Sequence, residues 1–210
     1  TRMKLMQPPM EFFATRFANQ WIRSEESLHK ALSAKTIEPE SISEALGFFQ
    51  TARPFKGLSN TSIRQEIAAH LVESSKYLTE KNVVSKVNTL RIRLKERFNT
   101  DNYSAASKLL WLRKRAPVII MDKWAKKALL KQGLKLPVEE RESHYDLYCS
   151  YWRTIYEQHR KDIEAASRSL VNIKAYCELW DLTNSEIKII THSNWFHERV
   201  FDLYLMHTGK

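Results

Sequence analysis

The sequence predicts an all-α fold, and three observations carry that expectation. Apolar residues recur at three- and four-residue spacing in segment after segment. Only four glycines and six prolines occur in 210 residues, too few turn residues for a hairpin-rich sheet. The hydrophobic content is 43%, which rules out a disordered chain even though 28% of the residues are charged. Residues 1–210 therefore read as one helical domain, with material for a single core or for two small lobes sharing a cleft.

Taken in order, the first helix is predicted over 9–34, where Phe12, Phe13, Phe17, Trp21, Leu28 and Leu32 fall near helical spacing. Pro39 suits a first helical position ahead of Ile42, Leu46 and Phe49. The stretch from Thr51 to Gly57 breaks the pattern as a loop. Asn60 is a candidate cap for a helix carrying Ile63, Ile67, Leu71 and Leu78. A further helix over 82–98 has its apolar stripe on Val83, Val87, Leu90 and Leu94. After the turn Asn99–Asn102, Ser104–Leu112 resumes a helix. The break Arg113–Pro117 leads into an apolar run, Val118–Met121, which is the one candidate strand. Asp122 is placed to cap the helix that ends near Gly133. Pro137 is expected to start a long helix with Tyr145, Tyr148, Trp152 and Tyr156 on one face, a stripe that favours core packing. Shorter helices are expected near 167–180, 184–190 and 194–207.

The net charge of +10 is concentrated. Residues 86–135 hold fourteen Lys/Arg against three Asp/Glu, while the rest of the chain carries twenty basic and twenty-one acidic residues. Such segregation points to a polyanionic partner, nucleic acid before a membrane surface. No apolar run approaches the ~20 residues that cross a bilayer, and no signal-peptide segment is seen, so a cytoplasmic or nucleoid-associated protein is expected. Cys149 and Cys177 are too few and too far apart for a zinc or disulfide framework and read as buried hydrophobes. His192 and His197 stand five apart without a matching carboxylate or thiolate, so no metal is expected, and no cofactor motif is present.

The most informative stretch is 104–129, SAASKLLWLRKRAPVIIMDKWAKKAL. Ala106-Ser107 on a helix, the apolar run 118–121 and then Asp122 before another helix resemble the active-site segment of helix–hairpin–helix DNA glycosylases, most nearly the archaeal 8-oxoguanine DNA glycosylases. The resemblance covers 26 residues. It implies a two-lobed helical bundle, double-stranded DNA with a flipped base as partner, and Asp122 as the catalytic carboxylate. Around that segment, Ser107, Lys108, Arg113, Lys114, Arg115, Lys123, Lys126 and Lys127 are the candidate nucleic-acid contacts, and Trp111 and Trp124, which flank it, the candidate base pocket. Lyase-type members carry a lysine three residues before the matching serine, where this chain has Ser104. Base excision without Lys-dependent β-elimination is the expectation that follows. The turn Asn99–Tyr103 also lacks the glycines of the family's hairpin.

Read as residues alone, Asp122 is also an ordinary helix cap, and Trp111 and Trp124 are also ordinary core aromatics. The alternative function is a non-catalytic DNA- or RNA-binding protein with a degenerate glycosylase fold. A third is a helical module whose basic face meets an acidic protein.

Overall fold

The computed structural model describes residues 8–138 and 141–210, and these form an all-helical protein. The predicted first helix is a continuous rod in three parts: α1 (Met10–Gln20), a π-helical turn (Trp21–Glu25) and α2 (Glu26–Ser33). Pro39 opens α3 (Pro39–Phe48), and the Asn60 side chain accepts from the Ser62 amide to cap α4 (Thr61–Ser75), which leaves Leu78 beyond its end. Next come α5 (Val83–Phe98) and α6 (Tyr103–Lys114), the latter capped by Asn102. Asp122 caps α7 (Lys123–Lys131).

The apolar run 118–121 is not a strand. Its backbone groups bond to side chains instead: Tyr145 and Tyr148 donate to the carbonyls of Ile119 and Ile120 at 2.7 and 3.1 Å, and Ser107 accepts from the Met121 amide at 3.0 Å. With these buried groups satisfied, the segment has no need of a neighbouring strand.

The long helix α8 (His144–Ile173) begins later than Pro137. The carbonyl oxygens of Arg141 and Glu142 accept from Tyr103 and Asn88, which ties a short 3₁₀ turn (Arg141–Ser143) to α5 and α6. Positions 139 and 140 of the expected helix lie outside the described residues. The separate helix expected near 167–180 is instead the end of α8, followed by a 3₁₀ turn (Lys174–Tyr176). No glycine or proline interrupts the chain between 138 and 208, so no local signal marks that end. Two last helices follow, α9 (Asn184–Thr191) with a capping box at Thr183, and α10 (Asn194–Gly209).

Helix α2 lies on α6, α5 pairs with α6, α3 with α4, and α4 with α5. On the other side α1 packs against α8 and α10, and α10 runs closely along α7. That last approach needs Gly209: a Cβ there would stand 1.9 Å from the Trp124 carbonyl oxygen. The stripe Tyr145, Tyr148 and Trp152 is buried, and Cys149 and Cys177 are buried free thiols. No helix among the described residues is long and apolar enough to cross a membrane.

Candidate active site

Asp122 owes its position to the elements on both sides of it. Ser107 holds Met121 from α6, and Tyr145 and Tyr148 hold Ile119 and Ile120 from α8, so the residue that follows enters α7 from a pinned segment. One carboxylate oxygen caps α7 through the Trp124 amide at 2.8 Å, and the other accepts from the Lys108 ammonium at 2.7 Å. Both partners of that ion pair are buried, Asp122 at 6% exposure and Lys108 at 5%. Burial by itself would raise the Asp122 carboxyl. The Lys108 charge and hydrogen bond, the Trp124 amide and the more distant Arg199 charge outweigh it and hold the group below its ordinary value. The result is an ionised carboxylate in a sheltered place, each oxygen keeping a further lone pair.

Asp122 borders a pocket of about 260 Å³ where the N-termini of α6, α7 and α8 meet. Asn102, Tyr103 and Ser104 line it from α6, Met121, Asp122, Lys123 and Lys126 from α7, and Arg141 and His144 from the start of α8. Three helix N-termini and three cationic side chains make this an electropositive mouth around Asp122. Asp101, the other carboxylate in the wall, is paired with Arg91 at 2.9 Å and with Arg141 at 3.1 Å.

The residues expected at the site divide sharply. Asp122, Lys123 and Lys126 reach the pocket. Ser107 is fully buried as the pin for Met121, and Lys108 sits behind Asp122, outside the lining, with its ammonium over the Phe49 ring. Arg113 turns inward to the Ser75 hydroxyl and to the carbonyls of Leu32 and Ala34, where it closes the C-terminal end of α2. Arg115 lies over the rings of Trp195 and Trp21. Only Lys114 and Lys127 of the remaining basic residues are exposed to solvent. Trp111 is buried in the core between Trp21 and the Arg199 guanidinium, away from the pocket. Trp124 is half-buried, with Lys123 and Lys127 each 4.9 Å from its ring, and does not line the pocket either. The planar side chains in the wall are Tyr103 and His144.

Sequence reasoning missed Asp101, Tyr103, Arg141 and His144. Asp101 carried one weak signal, as one of three acids in the basic segment; Arg141 and His144 carried none, being about twenty residues from Asp122. A second buried charge cluster was also unseen. Arg199 pairs with Glu25 at 2.8 Å and with Asp202 at 3.3 Å, and Trp152 donates to Asp202 at 3.0 Å. His197 bonds to the Thr191 carbonyl and His192 is exposed; among the described residues no group of three or more His, Cys, Asp or Glu is placed to hold a metal ion.

Set against known proteins, the chain matches no protein family, no curated protein and no solved structure.

Proposed function

We propose that this protein binds DNA and hydrolyses the N-glycosidic bond of a base turned out of the helix into the pocket at Asp122. The observation that carries this reading is a sheltered, ionised carboxylate facing a small electropositive pocket. Cleavage of an N-glycosidic bond develops positive charge on the sugar, and a fixed carboxylate stabilises that charge and orients the attacking water. The Lys108 ammonium keeps Asp122 ionised while the acid is out of bulk water. His144 offers a face for an extruded base and Tyr103, whose ring is packed against Arg91 and Tyr145, offers its edge, and Lys123, Lys126 and Arg141 offer charge to the flanking phosphates. A volume of about 260 Å³ is below the ~300–1,000 Å³ of pockets for larger ligands and suits a single ring-sized group. The packing of α2–α6 on one another, with α1 and α7–α10 beyond them, supports a two-lobed arrangement with the pocket at its seam. Because Ser104 stands at the position where lyase-type glycosylases carry their lysine, and Lys108 lies behind Asp122, simple hydrolysis is the reading, without β-elimination from that position.

The second reading, a binder without chemistry, draws on one observation: both Asp122 oxygens already have structural partners. The test is incubation with genomic DNAs of differing base modification, with mass spectrometry of released free bases. Released base that disappears in Asp122→Asn, with binding retained, establishes the enzyme. Retained binding with no release from any DNA, and a variant that differs only in melting temperature, establishes the binder.

A further inference from the structure

A second cavity, of about 550 Å³, adjoins the first and shares Asp101 and Arg141 with it; Arg91 and Lys95 line it from α5. Its cations are arranged unequally. Arg91 is buried, takes one oxygen of Asp101 at 2.9 Å and lies over the Tyr103 ring, so it is part of the framework. Lys95 and Arg141 approach the other oxygen from solvent, at 3.9 and 3.1 Å, with side chains 53% and 65% exposed. Three cations thus share one carboxylate, and Glu142 in the same wall still leaves the groove with a positive surplus. The two exposed cationic ends lie no further apart than those two distances added, because both reach a single oxygen atom. A partner group of two anionic oxygens fits that pair, and a phosphodiester supplies them.

We infer that Lys95 and Arg141 form a subsite for one backbone phosphate, beside the nucleotide held at Asp122. This rests on the nucleic-acid reading above and adds to it a direction: the strand leaves the pocket across Asp101 toward α5. Asp101 holds the two exposed cationic ends in place before the strand arrives and keeps the buried Arg91 as its partner when they turn to the phosphate.

The test uses a duplex oligonucleotide with one tetrahydrofuran abasic site, and versions of it with a single flanking phosphate replaced by an uncharged methylphosphonate. Binding is measured across salt for the native protein, for Lys95→Gln/Arg141→Gln, and for Lys131→Gln/Lys135→Gln as a control of equal charge in the same basic segment. The inference expects the first variant to reduce the slope of log K against log salt by about 0.9, the loss of one phosphate contact. It also expects one methylphosphonate position to weaken the native protein and to cost that variant nothing further. Equal effects of the two variants, or methylphosphonates that penalise the first variant as much as the native protein, overturn the subsite while leaving DNA binding intact. Salt-insensitive binding by the native protein removes the DNA reading and the subsite together. Should the double variant melt early, Lys95→Gln alone carries the same comparison, since its 3.9 Å contact is the weaker of the two.

Discussion

Asp122 is held by opposite charge at one oxygen and by a helix amide at the other, and the two partners have different energetic weight. A cap bond removed by substitution costs about 0.5–2 kcal/mol. Removing the cation from a buried ion pair costs about 3–5 kcal/mol, because the stranded acid remains buried. Lys108→Met strands the buried acid and Asp122→Asn strands the buried ammonium, so each is expected to lose about 3–5 kcal/mol by chemical denaturation, and the double variant, which leaves no buried charge, less than the two losses added; strict additivity would mean that the pair is not coupled. The acid limb of stability follows the same group. Its folded pKa lies below the ~3.9 of an unfolded aspartate, so its contribution is present above that value and fades as pH falls through the folded one. Asp122→Asn should flatten that part of an acid denaturation curve. Residues at this scale were only partly legible: Asp122 announced itself as a cap by its place before a helix, whereas nothing local pairs it with Lys108, fourteen positions away.

At the scale of elements, the segment 118–121 shows how a side chain can stand in for a strand. The Ser107 hydroxyl both donates to the Tyr103 carbonyl and accepts from the Met121 amide. Ser107→Ala strands a buried N–H, an expected loss of about 1–3 kcal/mol. Because the same bond sets the entry into α7, the variant should also weaken any base release by more than its stability loss explains, measured at a temperature where it is fully folded. The pairing of α7 with α10 offers a second check. Gly209→Ala would put a methyl into the Trp124 carbonyl, so the last turn of α10 must shift from the start of α7, at a cost of about 1–3 kcal/mol. An unchanged melting temperature would show that the two helices do not approach as closely as this. The helix starts at Pro39, Asn60 and Asp122 were readable because caps are local; the late start of α8 was not, because carbonyls of 141 and 142 are held by α5 and α6.

Across the whole molecule, the basic segment does two jobs that composition cannot separate. Arg91, Lys108, Arg113 and Arg115 are used inside the protein, as partners of acids, carbonyls and rings. The surface charge left is accordingly smaller than the local sequence balance of +11, and under the proposed DNA-binding function the salt dependence should reflect fewer contacts than fourteen cations promise. The interior has its own pH signature. Burial raises the Glu198 carboxyl to about 7, with the Asp202 charge adding to the rise and Arg153 opposing it. The folded protein then keeps a proton that an unfolded glutamate releases near pH ~4.3, so stability falls as pH rises from there to about 7 and levels off above. Glu198→Gln should melt progressively above the native protein through that window, and a constant difference at every pH would count against it.

What the sequence determined by itself was the all-α class, most helix boundaries and the concentration of positive charge, since periodicity, caps and charge are properties of neighbouring residues. Only the tertiary structure decided which of those charges face outward, which acid meets Lys108, and that Arg141 and His144 close the pocket at Asp122. Buried charges are stable only beside a partner, and that partner is set by the packing of helices far apart in the chain.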